Sequence, residues 1–162
     1  MGNANGISQV VPELLVRARA SFPEDNPQLA ILLSSCGRSL MTLKRWNEAE
    51  PLLRECSSIR EKSQPDDWLT FRTSLMLGSC LLGQGKFEDA EPYLLAGYQG
   101  LVQREPLIPK QIRIGLTESL ERLVNLYNAW QKPEPAEEWR KKLDEWGKRI
   151  IAESVDSTLP AK

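Results

Sequence analysis

The chain has no histidine, which removes the commonest general acid/base and the commonest metal ligand among side chains. Cysteine is scarce: Cys36, Cys56 and Cys80 form an odd set without a CxxC pair, so neither a disulfide framework nor a zinc site is supported, and the thiols read as buried, reduced core residues of a cytoplasmic protein. Long apolar runs are missing too. Runs such as Leu29-Ala30-Ile31-Leu32-Leu33 or Leu75-Met76-Leu77 are only a few residues long, against the roughly 20 residues a membrane-spanning helix needs, and the N-terminus lacks the basic region and apolar core of a secretory signal. Gly6 stands where a myristoylation motif requires Ser or Thr. An excess of one charge is also absent, with 21 basic against 22 acidic residues, so nothing drives the chain toward nucleic acid or an anionic membrane. Without a glycine-rich phosphate cradle or a G-x-S-x-G turn, no enzyme and no cofactor are expected.

What the chain does have is a repeat. Arg45-Trp46-Asn47-Glu48-Ala49-Glu50-Pro51-Leu52-Leu53 is followed by Lys86-Phe87-Glu88-Asp89-Ala90-Glu91-Pro92-Tyr93-Leu94, and a weaker copy runs Pro133-Glu134-Pro135-Ala136-Glu137-Glu138-Trp139. The alanines recur at about 41 and then 46 residues, within the range of helical-repeat arrays. At 162 residues and 41% apolar content the chain suits one domain.

Apolar spacing predicts an all-α chain of about seven helices: an unpaired N-terminal helix and three antiparallel pairs. Residues 1–7 read as a disordered or tag-derived start and 154–162 as a flexible tail, with the array over 8–153: helix 8–22, first repeat 27–62, second repeat 66–104, and third repeat with its capping helix 110–152. Pro12 and Pro51 are placed in first helical turns, where a missing N–H costs least. Gly37 and Gly78 fall inside first helices, and a close approach by Ala49 and Ala90 of the facing helices would explain them. The five extra residues of the longer interval are assigned to the loop around Glu105-Pro106-Leu107-Ile108-Pro109. Acids such as Glu88, Asp89, Glu91 and Glu134 suit helix N-termini. In the last helix, Ala136, Trp139, Leu143, Trp146 and Ile150 make a narrow seam under a charged exterior, as in a solubilising cap. The first helix has no preceding partner, as though the N-terminal end were cut, and Val10, Val11, Leu14 or Leu15 would then be exposed for self-association.

A constant spacing of twelve links Gly37 to Ala49, Gly78 to Ala90 and Val124 to Ala136. With Leu33, Cys36, Leu40 and Leu53, with Ser74, Leu77, Leu81 and Leu94, and with Leu120, Leu123, Tyr127 and Arg140, this resembles the tetratricopeptide pattern W-x₂-L-G-x₂-Y…A-x₃-F. The longer repeat and the Ala-Glu-Pro-Leu run are similar to the kinesin-light-chain type. Pro65-Asp66-Asp67-Trp68 and Leu116–Leu123 resemble the repeats that follow a serine/threonine kinase domain in large bacterial proteins.

The resemblance implies a right-handed α-solenoid whose first helices line a concave groove for a peptide or partner protein. It places Ser34, Arg38, Met41, Arg72, Leu75, Ser79, Glu118, Glu121, Asn125 and Asn128 on that face. The Lys/Asn/Arg clamp for C-terminal carboxylates is largely missing from these positions. The implied role is a non-enzymatic interaction module, with no nucleic-acid, membrane or metal partner; a spacer that forms homo-oligomers through its N-terminal helix is the alternative.

Overall fold

The computed structural model describes residues 3–108 and 114–156. Among them the backbone forms α1 (Asn3–Ser21), α2 (Pro27–Thr42), α3 (Trp46–Ser63), α4 (Trp68–Gly83), α5 (Phe87–Gln103), a 3-10 turn (Glu105–Leu107), α6 (Ile114–Ala129) and α7 (Pro133–Asp156), with no strand. Short turns make α2/α3, α4/α5 and α6/α7 antiparallel pairs. Successive pairs stack through α3 on α4 and α5 on α6, while α1 packs on α2. Because α2 also touches α4, and α4 touches α6, the first helices form one continuous row. The chain is an all-α solenoid.

Each pair turns in the same way. Lys44, Gly85 and Gln131 adopt positive φ (58°, 75° and 57°), and the following N–H groups of Arg45, Lys86 and Lys132 donate to the carbonyls of Leu40, Leu81 and Tyr127 at 2.9–3.0 Å, the hydrogen bond that closes a helix over a left-handed residue. These three residues are spaced like the repeat alanines, so the longer interval arises between α5 and α6, not inside a hairpin. Helices α2 and α4 begin on side-chain caps: Gln28 N–H donates to Asn26 (2.7 Å) and Leu69 N–H to Asp67 (2.8 Å).

Ala49, Ala90 and Ala136 are buried, but they are not what presses on the glycines. A Cβ at Gly37 would lie 2.8 Å from Leu53 Cδ2, and one at Gly78 would lie 2.7 Å from Leu94 Cγ. The close neighbour is the leucine one turn after the alanine. In the third pair that leucine is replaced by Arg140, which is exposed and paired with Glu137, and the glycine by Val124, which is buried. The three cysteines are free and buried as expected, with Cys56 and Cys80 donating to the carbonyls of Ala30 and Trp46 (3.2 Å each).

Several boundaries shift. Helix α1 starts at Asn3, not Ser8, because Asn and Gly there only lower helix propensity; Pro12 is consequently interior. Pro51 and Pro92 are each sixth in their helices, past the first turn; the carbonyls they leave unbonded belong to Asn47 and Glu88, exposed residues where water can serve. In α1, Val10 and Leu14 are exposed and Val11 is half-buried, but Leu15 is buried against the core. Helix α7 continues past the expected end at Ala152 to Asp156 because no proline or glycine lies between them, and its seam opens outward as Ile150 becomes exposed. The expected start of the sixth helix at Lys110 and the tail from 157 lie outside the described residues.

The glutamate of each Ala-Glu-Pro motif joins one repeat to the next. Glu50 accepts from Gln84 Nε2 (2.8 Å) and Lys86 Nζ (3.0 Å), and pairs with Arg54. The Gln84 bond, then those of Lys86 and Arg54, outweigh burial and hold its carboxyl at about 2. Glu91 accepts instead from the Tyr127 hydroxyl (2.5 Å); burial first, and then this bond, pushes that phenol up to about 12.

Candidate functional site

Where α2, α4 and α6 run side by side, they enclose a groove of about 500 Å³, within the size range of ligand sites. Its polar edge carries Arg38, Arg72, Glu118 and Arg122, and its apolar wall includes Met41, Trp68, Leu75 and Met76. Arg72 lies over the Trp68 ring, 5.9 Å from its centroid, one helical turn away. Glu118 and Arg122 pair at 3.1 Å. Burial, and then the neighbouring Arg72, lower the Arg122 pKa from its ordinary value, against the pull of Glu118. The inserted loop after α5 supplies Ile108, which is buried and lines the groove.

A second, smaller hollow of about 260 Å³ adjoins it between α2 and α4. Ser34, Arg38 and Arg72 line it, with Arg60 of α3 also in its wall.

Of the residues anticipated on this face, Arg38, Met41, Arg72, Leu75 and Glu118 line the groove, and Ser34 lines the hollow. Leu75 is 1% exposed and forms floor rather than contact surface. Ser79 donates its hydroxyl back to the Leu75 carbonyl (2.7 Å). Glu121, Asn125 and Asn128 are exposed on α6 but do not line either cavity. Trp68, Met76, Arg122 and Arg60 were not anticipated; the four-residue step from Trp68 to Arg72 is the signal that could have drawn the tryptophan in.

Residues 16–100, just over half of the chain, match the sequence profile of the Tetratricopeptide repeat family. The chain belongs to the tetratricopeptide repeat family. The matched span covers α2 to α4, most of α5 and the end of α1; the third tetratricopeptide-like pair, α6/α7, follows from its turn and buried alanine. No curated protein matches the chain significantly. Tetratricopeptide repeats typically act through protein–protein contacts and without catalysis. Among the described residues, no cluster of Cys, Asp or Glu is placed to hold a metal, and no helix is long and apolar enough to cross a membrane.

Proposed function

We propose that the face built by α2, α4 and α6 binds an extended peptide or a helix of a partner protein, and that the array serves as a non-enzymatic docking module of a larger scaffold or signalling protein. The observation that carries this reading is the groove itself: Trp68, Met41 and Met76 offer apolar contact beside arginine side chains that can hold carbonyls or carboxylates. The resemblance to kinesin-light-chain-type repeats and to arrays that follow kinase domains supports the scaffold role. Ser34, Arg38, Met41, Arg72 and Glu118 are the contact residues in this reading, with Leu75 beneath them. A peptide-array screen tests it. Trp68→Ala and Arg38→Ala should each remove most hits, and a hit list unchanged in both variants would discard groove binding.

A second reading, self-association through α1, draws on Val10 and Val16, which are 59% and 68% exposed, and on an adjacent hollow of about 440 Å³ lined by Val11, Leu15, Leu40 and Leu52. It requires a molar mass that rises with concentration and returns to that of one chain in Val16→Glu with helicity unchanged. A constant mass at high concentration would dismiss it.

A further inference from the structure

Eleven arginines are described, and eight of them hold a carboxylate in an ion pair. Arg38, Arg60 and Arg72 are in no ion pair among the described residues, and all three line the one hollow between α2 and α4. No acidic side chain lines it.

Arg60 is the informative member. It is 3% exposed, and its Nε is sealed from solvent without a hydrogen-bond partner. Arginine stays charged at any physiological pH, and a buried, uncompensated charge is costly. The hollow's hydroxyls do not relieve it. Ser34 and Ser35 donate to the Ile31 carbonyl and Thr73 to that of Leu69, so the guanidinium groups are the donors left facing the cavity.

We infer that this hollow is an anion subsite: it receives one carboxylate or phosphate group carried on a side chain of the peptide in the adjoining groove, with Arg60 at its base and Arg38 and Arg72 at its rim. Its volume suits a side-chain head group rather than a whole ligand. Arg38, Arg72 and Met76 line both cavities, so a chain lying along the apolar wall can turn one side chain inward. The apolar wall of the groove and the near-zero net charge favour a peptide over a nucleic acid. The inference rests on the groove-binding reading, and the following experiment separates the two.

Four decapeptide pools, degenerate at the flanking positions, carry Glu, phosphoserine, Gln or Lys at the centre, and their affinities for the full chain are measured by fluorescence anisotropy. The Glu or the phosphoserine pool should bind about tenfold tighter than the Gln pool, the value of a charge-assisted hydrogen bond in a sheltered site; the tighter of the two names the oxyacid. Arg60→Gln should erase that preference and leave binding of the Gln pool unchanged. Equal affinity for all four pools, or a preference that survives Arg60→Gln, overturns the subsite and spares the groove. Failure of every pool to bind overturns both, and tighter binding of a random deoxydecanucleotide overturns the peptide assignment. Should Arg60→Gln lose helicity by circular dichroism, Arg60→Met, which keeps an unbranched apolar stem in the buried position, must erase the same preference and leave the Gln pool bound for the subsite to stand.

Discussion

The first two helix pairs and the third are solutions to the same packing problem. In α2/α3 and α4/α5 a glycine admits a leucine from the facing helix, so the helices approach closely at the cost of the glycine's unfavourable helix propensity. In α6/α7 the leucine gives way to the exposed Arg140 and the glycine to Val124, whose side chain is buried. The two contact positions thus differ together in the third pair: the leucine is absent where the glycine is absent, as close packing favours. The third pair also has no successor among the described residues, and its second helix can carry charge where α3 and α5 must bury apolar surface.

Breaking that exchange gives the largest expected effect. Gly78→Val would place Cβ 2.7 Å from Leu94 Cγ and 3.0 Å from the Leu94 backbone nitrogen, and should destabilise by about 3 kcal/mol, read as a lower urea midpoint. Adding Leu94→Ala, which alone costs about 2–5 kcal/mol, should recover part of the loss, because the double variant approaches the arrangement of the third pair. Strict additivity of the two would mean the contact does not couple them. The mirror experiment has the opposite logic. Val124→Gly should cost about 2 kcal/mol, from a lost buried side chain and added backbone freedom, although it restores the residue type that the first two pairs need.

Much of this was readable before the fold. The constant twelve-residue step between the inner residue and the alanine places three hairpins, because helical periodicity and a short turn leave few alternatives. What periodicity cannot decide is which side chain of a stripe reaches furthest across: it points to Ala49 and Ala90, whereas Leu53 and Leu94 touch the glycines. The groove shows the same limit. Asn125 and Asn128 occupy the right helix, but the α6 residues that line the groove end at Arg122, three and six residues before them. Arg60 is hidden by its chemistry. It continues the buried seam of Ala49, Leu53 and Cys56 at steps of 4, 3 and 4, yet its charge invites assignment to the surface.

The two inter-repeat glutamates extend the comparison to pH. Glu50 has its folded pKa held at about 2, below the ordinary 4.5, so its contribution is present above about 4.5 and fades as pH falls toward 2. Its side chain is 16% accessible, and Glu50→Gln should cost roughly 1–2 kcal/mol at neutral pH, a difference that disappears in acid because the wild-type carboxyl protonates there.

Tyr127 behaves oppositely. Its folded pKa of about 12 lies above the ordinary 10, so the stabilisation is complete below pH 10 and is lost as pH rises from 10 to 12, where the unfolded chain gives up its proton and the folded chain keeps it. Tyr127→Phe should be the mildest change, about 1 kcal/mol at neutral pH, since the half-buried Glu91 can recover a water in place of the phenol. Its stability should fall less steeply than the wild type's above pH 10. One motif residue thus joins successive repeats through bonds that fail at opposite ends of the pH scale, because Glu50 meets a cation and an amide where Glu91 meets a neutral hydroxyl. Parallel pH–stability curves for Glu50→Gln and Tyr127→Phe would show that neither bond contributes as its geometry implies.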